Sequence, residues 1–305
     1  MSGPLIRTYR MNGPFIGRGR RALPYLLLLP SVALLLAFFA APFVSLFYFA
    51  LRRLDLTGVS RFVGLDNFGI LFGEARFAQN LLATLEYLVG VLVLSLPVAY
   101  VAAILVSRAV RGMSLLRTVL LIPWVLAPVV TAVLFRTLVD PSRGPVTRLL
   151  ELVTGGSASL IQQPAGAMIV VILHSAWRSV PIAMLILAVG ISAIPRELHE
   201  AARIDGGGRW AEFRHVILPL TRPHLISASI VISVFTLHDA EGVYSLTQGG
   251  PGYGTEVAAV RLFKEAFRYY DVGIGSAVGV ALVVLAVVVL GIQFGMSRRE
   301  EDLSR

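Results

Sequence analysis

The run Ile194-Pro-Arg-Glu-Leu-His-Glu-Ala-Ala-Arg-Ile-Asp-Gly-Gly-Gly-Arg-Trp-Ala-Glu-Phe-Arg-His-Val-Ile-Leu-Pro219 separates two long apolar blocks and follows different rules from either. Pro195 suits the first turn of a helix, where its missing N–H leaves nothing unbonded. Leu198, Ala201, Ala202 and Asp205 share one face by i, i+3, i+4 spacing. Gly206 to Gly208 stop the helix, because glycine takes positive φ freely. A second short amphipathic stretch follows, with Trp210, Phe213 and Ile217 on one side. Pro219 and Pro223 then punctuate the entry to the next block. The pattern predicts a helix–turn–helix whose small-residue face could fit a groove. It is equally compatible with an amphipathic helix lying on a membrane surface.

The flanking blocks decide the solvent. The chain has 305 residues, 56% of them hydrophobic and 15% charged, with a mean hydropathy of +0.77. A soluble domain of this size needs more surface charge. The apolar residues also cluster into blocks longer than the roughly 18–20 residues that cross a bilayer. Six spans are expected, at about 23–50, 80–106, 115–138, 166–191, 224–245 and 272–295. Backbone polar groups in lipid must be satisfied within the segment, so the spans are helical and the fold class is all-α. The first block is too long for a cleaved secretory signal and is expected to remain as a span.

Orientation follows from arginine placement. The tail before the first span, the segments after spans 2 and 4 and the tail after span 6 carry 16 of the 27 basic residues. Those segments are expected on the cytoplasmic side, with both termini inside. The same placement explains the net charge of +9 by topology, without nucleic acid as a partner. The expected organisation is a cytoplasmic tail at 1–22, one membrane domain at 23–297 holding the polar loop 195–222, and a short tail at 298–305.

Several chemistries are excluded. The absence of cysteine removes disulfides, thiolate metal sites and cysteine nucleophiles. The one lysine, Lys264, follows Phe263, so there is no Walker A loop. His199-Glu200 begins like a zinc-protease helix, but Arg203 stands where the second histidine belongs. No Gly-x-Ser-x-Gly elbow is present. No catalytic residue, metal site or cofactor is therefore expected on this chain.

Ionisable and aromatic groups inside the spans are the remaining candidates. An ionised side chain at mid-membrane costs about 2.5–3.5 kcal/mol on insertion scales, so it must face the bundle or water. Glu86, His174, Trp177, Arg178, His238, Asp239, Glu241 and Tyr244 are the substrate-path candidates. Carboxylates, histidine and arginine can hydrogen-bond sugar hydroxyls, while aromatic faces cover the apolar side of the ring. A structural pairing of Arg178 with Glu86 or Asp239 would account for the same residues. If Arg178 is unpaired in the cavity, an anionic headgroup becomes a ligand. Gly275 and Gly279 are read as ordinary close packing.

Glu200-Ala201-Ala202, then Gly206, then Val216-Ile217-Leu218-Pro219 resembles the EAA loop of ABC importer permeases, with Val216 where the family has Ile. Phe62-Val-Gly-Leu-Asp-Asn-Phe68, Arg117-Thr-Val-Leu-Leu-Ile-Pro123 and Leu246-Thr-Gln-Gly-Gly-Pro251 resemble signatures of the MalF/UgpA-like carbohydrate branch. The likeness runs over most of residues 20–297. Ala240-Glu241 stands where that branch has Phe-Asp, which removes an aromatic platform. The resemblance implies a type I importer fold in a bacterial or archaeal cytoplasmic membrane. It implies a coupling helix seated in an ATPase subunit, with Glu200, Ala201, Ala202, Asp205, Gly206, Trp210, Phe213, Leu218 and Pro219 at the contact. Glu200 would pair with a basic residue of that partner and Gly206 would provide the turn. The implied partners are a second homologous permease subunit, two ATPase subunits holding ATP and Mg, an extracytoplasmic solute-binding protein and membrane lipid. The implied cargo is a sugar, oligosaccharide, polyol or glycerophosphodiester. A self-sufficient ion-coupled carrier using His174, Asp239 and Glu241 is the contrasting reading. Inverted repeats and broken helices, which such carriers usually show, are not expected here.

Overall fold

A computed structural model describes residues 23–54, 60–107, 113–154, 159–204 and 208–303. Asp205 and Gly206 lie outside the described residues. The chain divides at Leu46 into two compact units. The first consists of α1 (Leu23–Leu35), a π-helical turn at Leu36–Ala40 and the start of α2 (Ala41–Ala50). Apart from Ser31 and Ser45 its described side chains are apolar, and most are exposed, as suits a helix whose surroundings are hydrocarbon.

The second unit opens with a two-stranded antiparallel ribbon, β1 (Arg52–Leu54) and β2 (Ser60–Phe62), in the register Arg52 to Phe62. This ribbon departs from the all-α expectation. It is held by Asn67, at the head of α3 (Asp66–Gly73), whose buried amide donates to the carbonyls of Ala50 (2.8 Å) and Arg52 (2.9 Å). The Phe62–Phe68 signature thus includes the tether of this ribbon.

α4 (Ala75–Val106) and α8 (Pro164–Ser192) form the central pair, and α12 (Arg222–Leu237) packs on both. Tyr87, Leu88 and Val91 of α4 and Val170, Val171, Met184 and Leu187 of α8 are buried in the shared core. α15 (Val272–Leu303) closes the other side of α12. Gly275 sits against Ala266, where an added Cβ would lie 3.1 Å from the backbone nitrogen, so close packing is its role.

Two expected spans are not straight helices. The block 115–138 is α5 (Met113–Val125) and α6 (Pro128–Leu138), bent by 94°. Ala127 takes φ −59°, ψ 140° because a residue before proline is pushed out of the helical region, and Pro128 then starts the new helix. The block 224–245 breaks at His238–Asp239 into α12 and α13 (Ala240–Thr247). Asp239 caps α13 by accepting from Gly242 N at 2.9 Å. The expectation of no broken helices is therefore corrected. Among the described residues four helices are long and apolar enough to cross a membrane, or up to six if Leu115–Val125 with Pro128–Leu138 and Arg209–Leu220 with Arg222–Leu237, the latter bent by 71°, each count as one.

The remaining elements are short. α7 (Pro145–Thr154) follows α6; α9 (Arg196–Ile204), α10 (Arg209–Glu212), a π-helical turn at Phe213–Ile217 and α11 (Leu218–Leu220) link α8 to α12. α14 (Ala258–Phe263) and a π-helical turn at Lys264–Arg268 lead into α15.

Candidate functional site

At one end of the bundle, α9 and α10 enclose a cavity of about 1070 Å³ with the ends of α4 and α8. Glu200 lines it and is exposed, as is Ala201, while Ala202 is half-buried. His199 Nδ1 and Glu212 Oε1, 2.7 Å apart, clasp the two short helices together. Leu198 and Ile204 are also exposed, so an apolar edge of α9 is uncovered on this chain. The face expected to hold Trp210, Phe213 and Ile217 together is split by depth. Ile217 is buried, Phe213 packs edge-on against Tyr100, and Trp210 is exposed, lying over Phe213 at 5.5 Å. Leu218 and Pro219 are half-buried at the bend into α12. Tyr100 and Thr221 hydroxyls hydrogen-bond there, and Thr221 Oγ1 also donates to the Ile217 carbonyl at 2.6 Å.

Deeper in the bundle, the break in the fifth apolar block faces a cavity of about 300 Å³. Arg178, His238, Asp239 and Glu241 line it, together with Tyr87 and Trp124. Asp239 is its best-tied member. Tyr87 Oη donates to Oδ2 at 2.7 Å and Ser175 Oγ at 3.1 Å, while Gly242 N occupies Oδ1. Gly242 is required by crowding: a Cβ would stand 2.7 Å from Oδ1 and 3.1 Å from the His174 ring.

The other path candidates are scattered. His174 is wholly buried behind the cavity wall, with Nε2 at 2.9 Å from Thr131 Oγ1 and its ring edge-on to Phe135. Thr131 Oγ1 also lies 2.9 Å from the Pro128 carbonyl, and His174 Nδ1 has no hydrogen-bond partner among the described residues. Trp177 packs on Phe135, and Tyr244 packs on Phe263. Glu86 is on the surface of α4. Neither Glu86 nor Asp239 forms an ion pair with Arg178 among the described residues. The structural pairing considered for Arg178 is thus absent, and its buried Nε has no hydrogen-bond partner.

A third cluster escaped sequence reasoning. Glu256, fully buried, accepts both nitrogens of a bidentate Arg76 at 2.8 Å, Lys264 Nζ at 2.7 Å and Asn80 Nδ2 at 3.2 Å. Arg261, also buried, reaches Glu74 at 2.5 Å and Glu265 at 3.4 Å. Arg76 further lies over the Tyr253 ring. The Leu246–Pro251 motif makes this possible. Gly249 has φ +83°, and a Cβ there would meet Glu256 Cβ and Lys264 Nζ at 3.1 Å. These charges sit at span ends, where composition alone reads them as loop residues. Among the described residues no group of histidine and acid side chains could hold a metal.

The arrangement is a helical bundle with a polar cavity at a helix break and an exposed amphipathic loop at one end. Residues 68–301 match the family described as binding-protein-dependent transport system inner membrane component. The chain is 34% identical over 276 residues to the sn-glycerol-3-phosphate transport system permease protein UgpA of Escherichia coli O157:H7, covering 90% of this chain and 93% of that one. It is 33% identical over 280 residues to the UgpA protein of Yersinia pseudotuberculosis, covering 91% and 95%. In fold it is similar to a chain of a bacterial ABC transporter involved in the import of the acidic polysaccharide alginate, with a TM-score of 0.78 at 22% identity, covering 92% of this chain and 96% of that one. The chain is therefore a permease subunit of an ABC importer and belongs to the family of binding-protein-dependent transport system inner membrane components.

Proposed function

We propose that this subunit forms half of a translocation path together with a second homologous permease, above two ATPase subunits. In this reading both termini are cytoplasmic, the broken blocks 115–138 and 224–245 each serve as one span, and an extracytoplasmic solute-binding protein delivers the cargo. ATP and Mg belong to the ATPase subunits; the chain is a transport subunit and not an enzyme. The cargo is a sugar, an oligosaccharide or a related polyol or glycerophosphodiester; the UgpA relatives are named for sn-glycerol-3-phosphate transport.

The observation that carries the coupling role is the uncovered face of α9. A helix with exposed Leu198, Ala201 and Ile204 beside Glu200 suits insertion into a groove on a partner. Asp205, Gly206, Trp210, Leu218 and Pro219 complete the proposed contact. The ion-coupled alternative finds no support in the geometry. His174 is engaged with Thr131 and Asp239 with Tyr87 and Ser175, so no His174–Asp239–Glu241 relay connects.

The test is to co-express the chain with its candidate mate, ATPase and binding-protein subunits, then measure ATPase activity. Stimulation by one loaded binding protein, lost in Glu200→Ala, supports the coupling role and names the cargo. Solute movement by the purified chain alone, with no ATPase subunit retained, would overturn it.

A further inference from the structure

The cavity at the helix break contains a positive charge that no described residue neutralises. Arg178 is half-buried, its Nε is cut off from solvent, and no described side chain hydrogen-bonds or ion-pairs with it. Arginine keeps its charge inside proteins. Leaving such a charge without an acceptor at membrane depth is unfavourable. The acids near it are not substitutes. Asp239 is turned to Tyr87, Ser175 and Gly242, and neither it nor the exposed Glu241 forms a hydrogen bond or ion pair with Arg178. Among the described residues nothing supplies the acceptor.

The geometry points to Arg178 as the group that selects a solute with an acidic oxygen pair, a phosphate or a carboxylate, over a neutral sugar. A guanidinium presents a planar fork that matches two such oxygens at once. Trp124 and the hydroxyls around Asp239 line the same 300 Å³ and can take the apolar face and hydroxyls of the remainder. The volume suits a small head group, or one unit of a longer chain. This inference rests on the importer reading and adds the charge class of its cargo.

The test uses the assembled, nucleotide-free complex in detergent, titrated with sn-glycerol 3-phosphate, glucuronate and maltose while thermal stability and binding are recorded. Wild type is expected to respond to at least one of the two anions. Arg178→Gln should weaken that response about tenfold to a hundredfold, the range for losing a charge-assisted contact. Arg178→Lys, which keeps charge but loses the fork, should fall between, and any maltose response should not change. An Arg178→Gln complex that loses its mate, while Arg178→Lys assembles and shows no altered anion response, would place the acceptor on the mate and overturn the inference. So would equal anion responses in all three proteins, or no anion response in wild type. If no ATPase subunit co-purifies with wild type, the importer reading fails as well; an intact complex without anion selectivity removes only the role of Arg178.

Discussion

Replacing Glu256 by alanine should be among the most destabilising single changes in this chain. Among the described residues its carboxylate is the only acid within hydrogen-bonding distance of Lys264, and it is the bidentate partner of Arg76 and also receives Asn80. Truncation leaves Lys264, 7% exposed, with no acid, and Arg76 with only Glu265 at 3.8 Å. Removing one member of a buried ion pair costs about 3–5 kcal/mol, because the surviving charge stays desolvated. The thermal midpoint of the purified complex should fall by at least about 6 °C. Asp66→Ala is the control: this acid is exposed in the first turn of α3, and its loss costs about 0.3–1 kcal/mol. Acid titration adds a second readout. Burial pushes the Glu256 carboxyl up, but hydrogen bonds from Arg76 and Lys264 outweigh it and hold it below the ordinary glutamate range. A folded-state value below the unfolded one gives stability that is present above the ordinary range and lost as pH falls through the folded value. Wild type should therefore lose stability below about pH 4, and Glu256→Ala should have less to lose there. An equal midpoint for Glu256→Ala and Asp66→Ala would refute the idea that this network fastens the 246–271 segment.

Glu265 carries the opposite sign: burial raises its carboxyl, Arg261 and Arg76 offset this only in part, and Asp271 and Glu74 add to it. Its contribution is present below the unfolded value and lost as pH rises through the folded one, so melting curves should increasingly favour Glu265→Gln over wild type between pH 5 and pH 8. Tyr87→Phe removes the shorter of two hydroxyl donors to Asp239 and should cost about 1.5–3 kcal/mol, with Ser175→Ala costing less; a double-mutant melting cycle should give clear coupling between them. Equal and additive losses would count against the shared site. Gly242→Ala drives a Cβ into the Asp239 carboxylate and should cost about 1–2 kcal/mol through the lost cap, read as a lower midpoint and slower transport by an assembled complex.

The legible parts of this chain were those set by long-range composition or by fixed motif spacing. Apolar blocks fixed the long helices to within a few residues, because an 18-residue window averages over local detail. The illegible parts were set by single residues acting across the fold. Hydropathy does not register that Pro128 turns a block by 94°, since both halves remain apolar. Asp239 was singled out as a path group, and its position already suited a helix cap, but a block read as one span left no helix start for it to cap. Tyr87 was hidden beside Glu86: one step along a helix separates a surface acid from a buried hydroxyl facing Asp239. The Glu256 network joins residues about 180 positions apart, and no local pattern encodes such a partner.

These polar contacts share one element, and their spacing along it separates strong fastenings from weak ones. α4 contributes Asn80 to the Glu256 network, Tyr87 to the Asp239 cap and Tyr100 to the Thr221 bend. From Asn80 the second contact lies about 10 Å along the helix and the third about 30 Å. The first is a desolvated ion network, whose disruption costs about 3–5 kcal/mol. The last is a neutral hydroxyl pair, whose net contribution is about 0.5–1.5 kcal/mol. A force applied at α9 and α10 therefore meets its least resistance at the Tyr100–Thr221 contact and its greatest at Glu256. Asp239, at the broken end of α12, lies between them and lines the same cavity as Arg178. Any displacement of α12 relative to α4 that begins at the exposed loop would reach the cavity before it could disturb the opposite end of the bundle. That order suits the proposed coupling, in which movement driven at the loop would alter the cavity while the 246–271 segment stays in place.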